Sequence, residues 1–132
     1  MPLLMGFWAV ASVAGVTEVQ CRHERSTAMT WSYGGIFRGP GLYPGSAEGG
    51  DELLTFLLTE RQGILKGNMS TTVLVRLHDY FLEPTAGNNV TIWRYLPATE
   101  GISPYMIQLI AAPLADAPYS MISAWRCRAV ER

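Results

Sequence analysis

Asp51-Glu52-Leu53-Leu54-Thr55-Phe56-Leu57-Leu58-Thr59-Glu60-Arg61-Gln62-Gly63 is the segment whose reading decides the fold. Two patterns compete in it. As a helix, Asp51 caps the start and Glu52 sits near the positive end of the dipole. The apolar pairs 53/54 and 57/58 then recur four residues apart, and Gly63 stops the run. As a strand, Leu54, Phe56 and Leu58 share one face, and Arg61-Gln62-Gly63 turns the chain into Ile64-Leu65. The end signals and charged flanks decide for a short α-helix over about 51–62.

Immediately before it lies Gly34 to Gly50, which holds seven of the 13 glycines and two of the eight prolines. Glycine opens left-handed backbone conformations and proline removes a donor, so the stretch is expected to be a long ordered loop or arm. It has no Gly-x-x-x-x-Gly-Lys-Ser/Thr pattern, and the single lysine, Lys66, lies elsewhere, so no phosphate cradle is expected. Phe37, Leu42 and Tyr43 are the residues on it suited to gripping a neighbour, because buried aromatic and apolar anchors tend to dominate interfaces.

Upstream, Gly6 to His23 begins as a continuous apolar run and passes into alternation, with Val19, Cys21 and His23 on one side and Glu18, Gln20 and Arg22 on the other. This reads as a long strand, closed by a turn at Glu24-Arg25-Ser26-Thr27. The first 17 residues carry no charge. They lack a basic leader and are too broken by Gly6, Ser12 and Gly15 for a membrane span, so a buried strand is expected, with Phe7 and Trp8 as further contact candidates. Met29, Trp31 and Tyr33 alternate up to Gly34.

Downstream, Thr71 to Leu82 reads as one strand, with Val73, Val75 and Leu77 opposite Leu74, Arg76 and His78. A turn at Glu83–Asn88 leads to a partner strand from Val90 to Tyr95. Tyr105 to Ala111 fits either a short helix or a strand. Tyr119 to Val130 is the last strand. The result is five to seven short strands with one helix and no βαβ rhythm: a single domain over 1–132, mainly β, an antiparallel sandwich or barrel with an arm at 34–50.

A chain of 132 residues, 48% apolar and with net charge −1, is a globular composition without the basic excess of a nucleic-acid binder. Charged residues make up 16%, against roughly 25% in an average domain, which suits a surface largely covered by neighbours. Cys21 and Cys127 are read as free buried thiols of a reducing compartment. A Cys21–Cys127 bridge between first and last strands, with the sequons Asn68-Met69-Ser70 and Asn89-Val90-Thr91, is the secreted alternative.

No constellation points to catalysis. Cys21-x-His23 with Cys127 lacks the two ligand pairs of a zinc site. His78 and Asp79 are adjacent on a strand and point to opposite faces. There is no Gly-x-Ser-x-Gly elbow. No metal, cofactor or enzymatic activity is expected. Trp8, Trp31, Trp93 and Trp125 fall on strands, where they would fill a core or line a ligand cavity. Thr30-Trp31-Ser32 and Thr55-Phe56-Leu57-Leu58-Thr59 resemble the late strands of the biotin-binding avidins. The resemblance covers under a third of the chain. It implies a barrel, and it transfers no site residue, since the family's first strands and biotin-contacting set have no counterpart here.

The expectation is therefore a non-enzymatic structural or assembly subunit of an oligomeric particle, such as a virion or phage capsid, decoration or tail protein. Its partners would be copies of itself and other particle subunits, with no nucleic acid and no membrane span. The alternative is a secreted β-barrel that binds a small apolar ligand or glycan.

Overall fold

The computed structural model describes residues 16–34, 38–84 and 89–130. Nine strands run through them: β1 (Thr17–Ser32), β2 (Gly41–Glu48), β3 (Leu53–Leu58), β4 (Gln62–Lys66), β5 (Thr71–Leu77), β6 (Tyr80–Glu83), β7 (Val90–Leu96), β8 (Tyr105–Ala112) and β9 (Tyr119–Ala129). Every pairing is antiparallel. Eight strands, β1 and β3 to β9, follow one another around a closed barrel, and β9 pairs back onto β1. β2 is an additional strand on the outer edge of β1. The architecture is thus a barrel, and no helix occurs among the described residues.

The expected helix over 51–62 is β3, a tight turn and the start of β4. Leu54, Phe56 and Leu58 are buried and alternate with half-buried neighbours. Thr59 makes the turn: its N–H donates to the Gln62 carbonyl at 2.9 Å, and its Oγ1 accepts from the Arg61 and Gln62 N–H groups. The end signals that favoured a helix are local. Pairing with β1 on one side and β4 on the other satisfies the backbone of β3 and buries a full alternating face, and this tertiary gain overrides weak propensity.

The expected arm at 34–50 is also a correction. It folds back as a hairpin whose return limb, β2, pairs with Arg25–Ser32 of β1. Proline and glycine are tolerated because β2 is an edge strand: Pro44 needs no second neighbour for its missing N–H. Gly34 sits at φ +90, where a side chain would be strained, and so starts the turn. A third correction lies at 24–27, where no turn forms. β1 runs straight through with a bulge: Trp125 faces His23 and Ala124 faces Arg25, leaving Glu24 as the extra residue. The bulge moves the inward positions from odd to even numbers, from Val19, Cys21 and His23 to Ser26. Finally, Thr71–Leu82 is two strands, broken at His78, whose φ of 55 makes a left-handed corner.

β1 is long because it serves two neighbours in succession. Thr17–Arg22 pairs with β3 and Arg25–Ser32 with β2, while β9 accompanies nearly its whole length. Residues 49–52 carry the chain from β2 to β3 and pass so near the bulge that a Cβ on Gly49 would lie 1.9 Å from the His23 carbonyl oxygen.

Inside, the barrel is filled. Phe56 and Trp93 meet edge to face at 5.0 Å, and Trp93 and Trp125 lie 6.0 Å apart. Val19, Leu65, Leu74, Phe81 and Met106 pack around them. An eight-stranded barrel has an interior about wide enough for its own side chains, and this one uses it so.

Candidate functional site

Several polar groups inside the barrel are paired with one another. The Trp93 indole donates to Glu83 Oε1 at 2.7 Å and the Trp125 indole to Gln108 Oε1 at 3.2 Å. Ser26 and Ser123, both buried, are joined at 2.7 Å, and Ser26 Oγ lies 2.6 Å from His23 Nε2. A histidine beside a serine is the geometry of an activated nucleophile. Here the serine is sealed in the wall with its second contact on another serine, so the group works as a polar rivet.

Cys21 and Cys127 stand directly opposite each other on β1 and β9, Cα to Cα 4.0 Å, and are joined by a disulfide. They occupy a non-hydrogen-bonded pair, the closer of the two kinds, since Val130 N–H donates to Glu18 three positions on and Cys127 N–H turns to Pro104 on the other side. The bridge replaces the free thiols expected in a reducing compartment, and it leaves no thiolate for a metal beside His23. No cluster of three or more metal-ligating side chains occurs among the described residues.

The outer wall is unusual. Val75 faces Leu82, Leu82 faces Ile92, Ile92 faces Leu109 and Leu109 faces Ile122, one apolar side chain per strand from β5 to β9. Leu57, Ile64 and Val73 extend it across β3 and β4. Val73, Val75, Leu77, Val90, Leu96, Leu109 and Ile122 are each 39–52% exposed. With the half-buried members of the rows, this is on the order of 700 Å² of open apolar surface, more than the few hundred a monomer usually shows. The long row ends at Ile122 on β9; further along that strand Arg126 and Arg128 face outward, beside Gln20, Arg22 and Glu24 of β1.

Those residues, with Leu53 and Ser103, line a surface groove of about 670 Å³. Arg126 lies 3.3 Å from Glu24, and its Nε donates to Tyr105 Oη, which in turn donates to Glu24. This hydrogen bond and the negative charge beside it raise the Arg126 pKa further above its ordinary value. A second hollow, about 460 Å³, lies among strand ends and turns, lined by Thr59, Asp79, Arg94 and Tyr95. Arg76 crosses it, donating to the Thr59 and His78 carbonyls. Burial raises the Tyr95 pKa.

Of the residues expected to grip neighbours, Phe7, Trp8 and Phe37 lie outside the described residues. Leu42 is on β2, 60% exposed and opposite Trp31. Tyr43 points to the other face of that strand, under the Arg38 guanidinium at 3.6 Å. His78 and Asp79 form the hairpin corner between β5 and β6. The sequence reading passed over the apolar wall, although a signal for it exists. Val73-Leu74-Val75 and Ile92-Trp93 are apolar on both faces, where a strand with one solvated face would alternate.

Comparison with family models, with curated proteins and with solved structures finds no match.

Proposed function

We propose that this protein is a non-enzymatic assembly module that works through the outside of its barrel, associating with copies of itself in an oligomeric particle. The observation that carries this reading is the apolar wall from β3 to β9. The interior is packed with its own aromatic side chains, which argues against a ligand held in the lumen and leaves the surface as the working part. At the usual apolar share of interfaces, a little over half, the exposed wall corresponds to on the order of 1,200 Å² per subunit, enough for stable contact. It curves round most of the barrel, so a single flat partner cannot cover it, and more than one neighbouring copy is implied.

A membrane-spanning barrel would also be apolar outside, but the arginines on β1 and β9 interrupt the belt and the lumen is apolar, the reverse of that design. No helix among the described residues is long and apolar enough to cross a membrane. The disulfide favours an oxidising setting, which suits a virion surface as well as the secreted alternative.

Sedimentation velocity of the purified protein tests the reading. Leu109→Lys together with Val75→Lys should convert an oligomer to a folded monomer with an unchanged far-ultraviolet spectrum. A wild-type chain that remains monomeric at micromolar concentration overturns it.

A further inference from the structure

On the charged side of the barrel, Arg22 and Arg126 stand directly opposite each other across the β1–β9 ladder, both pointing outward. Like charges so placed destabilise a sheet. Arg128 follows two residues along the same face and faces Gln20. Two strand residues span roughly 7 Å, so three guanidinium groups share one short strip.

Their partners among the described residues do not neutralise the strip. Arg126 is held by Glu24 and Tyr105. Among the described residues Arg22 reaches only Asp51 at 3.7 Å, with more than half of its side chain in water, and such a contact is worth little. Arg128 donates from Nε and Nη2 to Gln20 Oε1 at 3.1 and 2.6 Å, a neutral acceptor that orients the guanidinium without cancelling its charge. The groove they line, about 670 Å³, has room for more than a bare ion, and Ser103 is also in its lining.

We infer that this groove is a binding site for an oxyanion group, a phosphate or sulfate ester, held by Arg22 and Arg128 with Arg126 as the fixed charge between them. Guanidinium groups donate two parallel N–H bonds to such oxygens, which suits a ligand entering between two flanking arginines. Glu24 keeps Arg126 in place and leaves the outer two positions for the ligand. The site lies where the apolar wall is interrupted, so it stays open when copies associate through that wall, and it does not depend on their doing so.

Isothermal calorimetry and thermal shift with inorganic phosphate, inorganic sulfate and acetate test it on the intact, oxidised chain. Saturable binding of phosphate or sulfate, with acetate weaker, is the expected result. The tighter of the two identifies the ester. Arg22→Gln and Arg128→Gln should each weaken binding roughly tenfold, the loss of one charge-assisted pair. Arg25→Gln, beyond the bulge and outside the groove, should leave affinity within about twofold. Without ligand, Arg22→Gln should hold or raise the melting temperature, since a like-charge pair is removed; phosphate should then raise the melting temperature of the wild type and not that of an Arg22→Gln/Arg128→Gln double variant. No saturable binding of either tetrahedral anion, or equal weakening by Arg25→Gln, overturns the proposal.

Discussion

Ser26 and Ser123 meet oxygen to oxygen at 2.7 Å, facing each other across the ladder that closes the barrel. Each is buried, and Ser26 also bonds His23. The pairing exists because the bulge at Glu24 turns Ser26 inward. Without that extra residue, Arg25 would hold the inward position.

Removing the middle of this chain should cost more than removing its end. Ser26→Ala leaves both Ser123 and His23 without their partner and should destabilise by about 2 kcal/mol. Ser123→Ala leaves Ser26 bonded to His23 and should cost about 1 kcal/mol. The double variant should cost clearly less than the sum, by urea denaturation in a double-mutant cycle. Strict additivity would mean that the two hydroxyls are not coupled.

Oxidation state should matter more than any single side chain. The Cys21–Cys127 bridge spans 106 residues of sequence. A loop of that size stabilises by ~4–5 kcal/mol in the chain-entropy model. The Cys21→Ser/Cys127→Ser variant should therefore unfold at a much lower denaturant concentration than the oxidised wild type. Mass measurement after alkylation without reductant should find no free thiol in the protein from its native source, and two free thiols would remove the bridge from the account.

The crossing at Gly49 should tolerate no side chain. A Cβ there would sit 1.9 Å from a backbone oxygen, whereas one at Gly45, on the open edge strand, meets nothing within 4 Å. Gly49→Ala should cost roughly 1–3 kcal/mol, as overpacking does, because backbone must move. Gly45→Ala should be neutral within about 0.5 kcal/mol. Equal melting temperatures for the two variants would contradict the path of residues 49–52 past the bulge.

Tyr95 should give the barrel an alkaline limit. Its pKa is raised by desolvation, so the folded state holds the phenol proton more firmly than the unfolded chain, whose tyrosine titrates near 10.0. That contribution is complete below pH 10 and is lost as pH rises through the folded value. Tyr95→Phe should flatten this limb in melts taken above pH 10 and leave neutral-pH curves parallel to wild type. An unchanged alkaline slope in the variant would assign the limit to another group.

Strand content and the inward faces of β7 and β9 were legible, because Trp93, Trp125 and Cys127 sit in plain alternation. The segment 51–62 was not. Its leucine pairs satisfy a helical spacing as well as a strand spacing, and only the neighbours supplied by β1 and β4 decide between them. Likewise Gly34–Gly50 has the composition of a loop, and its pairing partner lies in a strand whose length is hidden by the bulge. His78 broke a strand without glycine or asparagine to announce it. The arginine strip was readable only in part: Cys21-Arg22 and Arg126-Cys127 place the arginines face to face once the cysteines are known to be opposite.

At the start of β1, the Val130 N–H beyond β9 still donates to Glu18 at 2.9 Å. A pull applied between Thr17 and Val130 would open β1 from β9 like a zipper, one rung at a time. That opening meets a covalent stop at Cys21–Cys127 after only three residue pairs. An oxidised barrel pulled between those two points would bear load through its sulfur–sulfur bond and keep the rest of its sheet intact, whereas a reduced one would peel open along its seam.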